Sequence, residues 1–163
     1  MKKVWCVLAL SVLLTGCGAN PVWETVTDVA DFPAMAQMQQ ITVKLPTDAS
    51  VETMDNGQTE KIYLCDGYTV TVQTLSGGDV DKTLRQISGF SKDQLTVMET
   101  QTQNGKRYEC VWASAGEGED QVARAVVLDD GSYHYAVTVM APFSTAGDLA
   151  SVWQSILSSV SIG

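Results

Sequence analysis

Three dipeptides that favour tight turns constrain the fold of this chain more than any other feature. Asp66-Gly67, Asn104-Gly105 and Asp130-Gly131 each lie between two runs rich in alternating apolar and polar residues. An Asn or Asp followed by Gly suits a type I′ turn, because both central residues of that turn need a positive φ. Each pair therefore predicts the turn of an antiparallel hairpin, and together they predict three hairpins.

The runs beside these turns show which side chains share a face of the sheet, because residues two apart on a strand point the same way. An opening strand with the same period is predicted at 41–46, "ITVKLP". The apolar faces predicted for the three hairpins are Tyr68, Val70 and Val72 in the first, Tyr108, Cys110 and Trp112 in the second, and Tyr133, Tyr135, Val137 and Val139 in the third.

Two segments have a helical period instead. In "DVDKTLRQISGF", Val80, Leu84 and Ile87 share one side of a predicted short helix, with Asp79 as its N-cap and Gly89 at its end. Near the carboxyl end, "STAGDLASVWQSILSSV" predicts an amphipathic helix with a wide apolar stripe. The stripe consists of Leu149, Val152, Trp153, Ile156, Leu157 and Val160.

These elements predict an α+β fold, in which a mostly antiparallel sheet of about six to seven strands carries one inserted and one carboxyl-terminal helix. The order of "ITVKLP", a meander interrupted by a helix, "DGSYHYAVTVMAP" and "DLASVWQSILSSV" resembles the PsbP/Mog-like fold, including the DcrB-like bacterial lipoproteins. The resemblance spans residues 40 to 161. It implies a non-enzymatic accessory or binding protein, since most members of that group have such roles.

The amino terminus has the anatomy of a bacterial export signal. Lys2 and Lys3 precede an apolar run at 4–14, which is shorter than the roughly 20 residues of a membrane-spanning helix. Leu14-Thr15-Gly16-Cys17 resembles the lipobox of bacterial lipoproteins at all four positions. The resemblance implies cleavage between Gly16 and Cys17 and acylation of Cys17. The alternatives are an uncleaved short anchor, or plain secretion with a chance cysteine.

This interpretation divides the chain into a lipoprotein signal peptide at 1–16, a lipidated terminus and tether at 17–39, and one α+β domain at 40–163. Trp23, Met35 and Met38 indicate that part of the tether packs on the domain or forms a short helix. Two or more acyl chains hold a protein stably on a membrane, whereas one chain does not. We therefore expect an extracytoplasmic domain anchored to the cell membrane through Cys17.

The acidic net charge of the chain argues against nucleic-acid partners. The full chain has 10 basic and 19 acidic residues, and loss of Lys2 and Lys3 with the signal lowers the formal charge from −9 to −11. Nucleic acids and anionic headgroups are bound through clusters of Lys and Arg. We therefore expect no nucleic-acid partner, and we expect the lipid to supply the attraction to the membrane.

Two cysteines remain once Cys6 leaves with the signal and Cys17 is acylated. Cys65 and Cys110 form a disulfide in one interpretation and remain separate strand thiols in the other. A bridge closing so long a loop would contribute about 4 kcal/mol if unstrained. Sequence cannot decide between them, because a disulfide needs Cα atoms closer than about 7 Å.

No catalytic, cofactor or metal site is predicted. The only histidine, His134, falls on the strand face opposite Tyr133 and Tyr135, where we expect it to be partly exposed. The acidic loop with Glu117, Glu119 and Asp120 could attract Ca²⁺ but lacks EF-hand spacing. Asp129 and Asp130 are interpreted as turn residues rather than as a pair of catalytic carboxylates.

The sequence therefore predicts a lipid-anchored, non-catalytic binding or accessory module of the cell envelope, whose partner is an envelope protein or a small ligand. The alternative from another class is an envelope enzyme, a hydrolase or a thiol-dependent protein, that uses Cys65 or Cys110. A third hypothesis is a structural subunit whose exposed sheet edge recruits another chain by strand addition.

Overall fold

The computed structural model describes residues 23–28, 38–52 and 60–163. Its elements in chain order are β1 (Trp23–Asp28), β2 (Ile41–Pro46), β3 (Ser50–Glu52), β4 (Glu60–Cys65), β5 (Tyr68–Ser76), α1 (Val80–Ser88), a 3-10 turn (Lys92–Gln94), β6 (Thr96–Thr102), β7 (Gly105–Ser114), β8 (Gln121–Asp129), β9 (Tyr133–Pro142), α2 (Phe143–Ala146), α3 (Ala150–Ser158) and β10 (Ser161–Ile162). The predicted fold class, α+β with a mostly antiparallel sheet, is confirmed.

The main sheet has seven strands in the order β3-β4-β5-β9-β8-β7-β6, and every neighbouring pair is antiparallel. All three predicted hairpins are present, as β4–β5, β6–β7 and β8–β9. The predicted opening strand is present as β2, but it lies in a second sheet of order β1-β2-β10. β1 falls within the predicted tether, and it fulfils the first of the two alternatives: this part of the tether packs on the domain, as a strand paired with β2, and does not form a short helix. Met35 lies outside the described residues.

The turns differ from the prediction in their dihedral angles. Among the described residues only glycines have a positive φ, so Asp66 and Asn104 do not adopt the type I′ geometry. The second turn is also shifted by one residue, because Gly105 pairs with Thr102 as the first residue of β7. Gly105 has a φ of +128°, and a Cβ there would meet the Asp129 carbonyl oxygen at 1.9 Å. The hairpin thus packs its glycine against the neighbouring β8–β9 turn.

The first predicted helix forms as expected. α1 begins after Asp79, whose carboxylate accepts a hydrogen bond from the Asp81 backbone N–H at 3.0 Å. It ends at Gly89, which has a φ of +81° and whose backbone N–H bonds the Arg85 carbonyl. Both ends therefore satisfy backbone groups that a helix leaves free.

The second predicted helix is divided. A four-residue α2 ends before Gly147, and α3 then covers Ala150–Ser158. Glycine is a poor helix former, which is consistent with a break at this position. The predicted stripe is retained in α3, where Trp153, Ile156 and Leu157 are buried, whereas Leu149 and Val160 flank the helix.

The seven-stranded sheet separates two apolar clusters. One face, which we call the two-sheet face, packs Val70, Val72, Val137 and Val139 against the second sheet and α3. The opposite face, which we call the helix face, packs Tyr108, Cys110 and Trp112, together with small residues of the central strands, against α1. The chain is therefore layered, with the main sheet in the middle.

Candidate functional site

Several side-chain hydrogen bonds hold the turn between β8 and β9, and we call the end of the sheet around this turn the cleft end. One oxygen of the Asp130 carboxylate accepts hydrogen bonds from the backbone N–H groups of Ser132 and Tyr133, at 2.8 and 2.7 Å. Asp129 accepts one from the backbone N–H of Gly131 at 2.8 Å. Both aspartates thus fix the turn, as the sequence predicted for them.

The second oxygen of Asp130 connects this turn to the segment that enters β2. It accepts hydrogen bonds from the Tyr135 hydroxyl at 2.8 Å and from the Gln39 side-chain amide at 3.1 Å. The Tyr135 hydroxyl in turn accepts one from the Gln39 backbone N–H at 2.9 Å. The entry to β2 is therefore held against the β8–β9 turn.

The charge states of this network follow from its bonds. Burial disfavours the charged form of Asp130, but the backbone N–H groups of Tyr133 and Ser132 oppose burial and the net effect lowers its pKa. Burial first, and then the neighbouring Asp130 carboxylate, raise the pKa of Tyr135 to about 12. Near neutral pH the network thus holds a charged carboxylate that accepts from a neutral phenol.

His134 is fully buried, with 0% of its surface exposed, so our expectation of a partly exposed side chain is wrong. Helix α1 covers this position: Thr83 Oγ1 lies 2.6 Å from His134 Nδ1. His134 Nε2 has no hydrogen-bond partner and lies 3.6 Å from an Asp129 carboxylate oxygen. The tautomer that suits both neighbours accepts from the Thr83 hydroxyl at Nδ1 and carries its proton on Nε2.

One residue of α1 signals this contact in the sequence, although the predicted apolar side of the helix did not include it. Thr83 lies three residues after Val80 and four before Ile87, so it belongs to the buried side of α1. A threonine on that side needs a polar partner, either a carbonyl of its own helix or a group in the sheet, because a buried hydroxyl without one is costly. His134 supplies that partner.

Two clefts lie at this end of the sheet, one on each side of the β8–β9 turn. The first has a volume of about 270 Å³ and lies between the β6–β7 turn and β10. Its floor is apolar and its rim carries amide, hydroxyl and charged groups, a mixture typical of binding sites. It is lined by Thr102, Gln103, Asn104, Lys106, Arg107, Leu128, Asp129, Val160, Ser161 and Ile162.

The second cleft lies on the other side of the turn, beside the beginning of α1. It has a volume of about 300 Å³ and a more polar lining, formed by Met38, Thr74, Leu75, Ser76, Gly77, Asp79, Lys82, Thr83, Gln86 and Tyr133. Thr83, the hydrogen-bond partner of His134, belongs to this lining. The buried histidine therefore lies directly behind the second cleft.

Arg107 connects the first cleft to the core. Its guanidinium donates to the Leu157 carbonyl at 2.8 Å and to the Val160 carbonyl at 3.5 Å, and it pairs with Glu109 at 2.7 Å. The Leu157 carbonyl lies in the last turn of α3, where backbone acceptors lack regular helical partners, and the Val160 carbonyl lies in the segment just after the helix. Arg107 thus fixes one wall of the first cleft by capping α3.

The two remaining cysteines are not brought together. Both are free thiols in the structure, and they pack against different clusters, Cys65 on the two-sheet face and Cys110 on the helix face. The disulfide interpretation is therefore not realised, since the main sheet lies between the two side chains. Burial raises the pKa of Cys65 and raises that of Cys110 to about 11. Both thiols are consequently protonated near neutral pH.

The acidic loop also has a structural partner. A carboxylate oxygen of Glu119 accepts a hydrogen bond from the Ser144 backbone N–H at 2.8 Å, and the Asp120 carbonyl accepts one from the Phe143 N–H. This loop therefore docks on the beginning of α2. Within 23–28, 38–52 and 60–163, no cluster of three metal-ligating side chains is found.

Gly16 and Cys17, the residues of the predicted cleavage and lipidation, lie outside the described residues. In the part of the chain that the structure describes, no helix combines the length and apolar character needed to cross a membrane.

Comparison with solved structures shows which folds the chain is similar to. It matches the cyanobacterial PsbP, CyanoP, of Synechocystis with a TM-score of 0.58 at 9% identity, covering 92% of this chain and 99% of that one. It matches the Ran-binding protein Mog1p of Saccharomyces cerevisiae with a TM-score of 0.52 at 13% identity, covering 88% and 96%. LpqN of Mycobacterium tuberculosis, described as involved in cell envelope biogenesis, gives 0.50 at 10% identity, covering 86% and 91%.

These similarities agree with the predicted PsbP/Mog-like architecture, and at such identities they concern the fold alone. No protein-family model matches the sequence. No curated protein matches it either.

Proposed function

We propose that this chain is a lipid-anchored, extracytoplasmic module of the bacterial cell envelope that binds a partner at the cleft end without covalent chemistry. The observation that carries the binding role is the pair of clefts on either side of one turn, which Asp130 holds through four hydrogen bonds. A surface that is already ordered loses less entropy when a partner binds.

Attachment to the membrane is supported by the sequence Leu14-Thr15-Gly16-Cys17, which follows a short apolar run. We expect Cys17→Ala to release the domain from membranes or to accumulate unprocessed precursor. Membrane fractionation and mass spectrometry of the amino terminus measure both outcomes. Normal processing and retention of the variant would contradict the anchor.

The absence of covalent chemistry is proposed from the two thiols. A nucleophilic cysteine needs a lowered pKa, whereas burial raises the pKa of both Cys65 and Cys110. We expect a thiol reagent to label the native domain slowly at pH 7.5, and quickly only after unfolding in urea. One thiol that reacts much faster than an unstructured cysteine would favour the envelope enzyme instead.

The binding surface is tested by photo-crosslinking side chains placed at single positions in cells. Gln103 lines the first cleft and Gln86 the second, and we expect crosslinks to a partner from at least one of them. Thr47, exposed at the other end of the domain, is the matched control and should remain unlinked. Crosslinks from Met98, on the exposed edge strand β6, with none from the clefts would favour strand addition instead.

A further inference from the structure

Strand β1 limits the distance between the predicted lipid site and the folded domain. β1 begins at Trp23 and pairs with β2 from Trp23↔Pro46 to Asp28↔Ile41. Only residues 18–22 separate Cys17 from Trp23. Because an extended chain gains at most about 3.6 Å per residue, a lipidated Cys17 lies within about 22 Å of Trp23.

The contacts of β2 show which end of the domain is tethered. Trp23 pairs with Pro46 at the end of β2, and the chain continues into β3, whose Ser50 pairs with Leu64 beside the Asp66-Gly67 turn. The charge of Asp48 acts on Cys65, next to the same turn. We call this end of the domain, with Trp23, Asp48 and the Asp66-Gly67 turn, the anchored end.

The cleft end lies at the opposite end of the same strands. Gln39, just before β2, is bonded to Asp130, and Gln40 accepts a hydrogen bond from the Gly163 N–H. β9 runs from Tyr133 at the cleft end to Pro142 at the anchored end. At about 3.3 Å per residue, a strand of this length separates the two ends by roughly 30 Å.

We propose that the bilayer is the neighbour of the anchored end, and that the short connection to Cys17 directs both clefts away from the membrane. This inference rests on the lipidation proposed above. What it adds is the orientation of the domain on the membrane. The anchored end remains within reach of the lipid headgroups, whereas the clefts lie about a strand length further from the bilayer.

The side chains of the anchored end fit such a position. Trp23 is 37% exposed, and Phe143, which follows β9 at this end, is 66% exposed. Aromatic side chains are enriched at the headgroup level of membranes. Glu24, Asp48 and Asp66 are acidic, so anionic headgroups repel this end and the acyl chains supply the attraction.

The test measures energy transfer from the lipidated full chain to an acceptor lipid in phosphatidylcholine vesicles. A fluorescent unnatural amino acid is placed at Thr47 at the anchored end or at Ser132 at the cleft end, both of which are exposed. We expect at least twofold higher transfer efficiency from residue 47. Asp66 and Gln103 form a second exposed pair with the same expected order.

A spacer variant is the matched control. Fifteen Gly and Ser residues inserted between Asn20 and Pro21 leave β1 intact and lengthen the connection, so the difference between the two labels should largely vanish. Equal transfer from both labels in the chain without the spacer, with the protein bound to vesicles, would overturn the orientation. A chain that cells export without lipid on Cys17 would overturn the proposed function itself, so the two failures are distinguishable.

Discussion

The two faces of the seven-stranded sheet are covered in different ways. The two-sheet face is packed by large apolar side chains, and Trp153 and Ile156 of α3 belong to the same buried cluster as Val137 and Tyr135. The helix face places the single helix α1 over a cluster in which Ala123, Ala125 and Ala136 come from the central strands. Large apolar side chains therefore fill the space on the two-sheet face, whereas the small alanines of the helix face allow α1 to pack close to the sheet.

The polar contacts that join helices to the sheet also differ between the two faces. On the helix face a buried pair, Thr83 and His134, joins α1 to β9. On the two-sheet face the corresponding contact is made by Arg107, which lies at the border of the first cleft and donates to the carbonyls of Leu157 in α3 and of Val160 just after it. Thr83 is 4% exposed at the second cleft and His134 is 0% exposed, so loss of this nearly buried hydrogen bond should cost more than loss of the more exposed bonds of Arg107.

The two-sheet face should show the largest response to loss of a side chain. Trp153 is 2% exposed, and Trp153→Ala should lower the free energy of unfolding by about 3–5 kcal/mol. Urea denaturation followed by circular dichroism measures the loss. If that variant does not fold, Trp153→Phe should still show a smaller loss, whereas the exposed Ser155→Ala should change stability by less than about 0.5 kcal/mol. Equal effects at 153 and 155 would contradict this core.

The helix face should respond next. Leu84 is fully buried on α1, and Leu84→Ala should lower the free energy of unfolding by about 2–4 kcal/mol, because the alanines beneath it cannot fill the space. Lys82→Ala, on the exposed side of the same helix, is the control and should be nearly neutral. A loss at Leu84 larger than at Trp153 would reverse the comparison of the two faces.

These differences also show what the sequence could predict. The hairpins and α1 follow from local signals, since alternation, turn dipeptides and the Asp79 and Gly89 caps lie within short segments. The place of β10 in the second sheet could not be predicted, because Ser161–Ile162 is too short to carry a period. The first cleft likewise joins residues 102–107 to residues 160–162, which only the tertiary fold brings together.

The buried polar pair should produce an intermediate effect. Thr83→Val preserves the shape of the side chain but removes the hydroxyl, which leaves His134 Nδ1 buried without a partner. We expect a loss of about 1–3 kcal/mol in the free energy of unfolding. Thr83→Ser retains the hydroxyl and should lose less than the valine variant. A valine variant as stable as the parent would show that this hydrogen bond contributes nothing to the helix face.

Loss of the Arg107 hydrogen bonds, at the border of the two-sheet face, should produce the smallest effect. Arg107→Ala removes the donors to the Leu157 and Val160 carbonyls and leaves Glu109 without its partner. We expect a loss of about 1 kcal/mol in the free energy of unfolding, because Arg107 is partly exposed and water replaces some of the bonds. Arg124→Ala is the matched control, since its guanidinium reaches α3 only through a 3.4 Å bond to the exposed Gln154 side chain. That variant should lose less than about 0.5 kcal/mol. Equal stability of the Arg107→Ala and Arg124→Ala variants would contradict the prediction. It would mean that the hydrogen bonds from Arg107 to the Leu157 and Val160 carbonyls do not stabilise the wall of the first cleft, and that Arg107 contributes only its charge there.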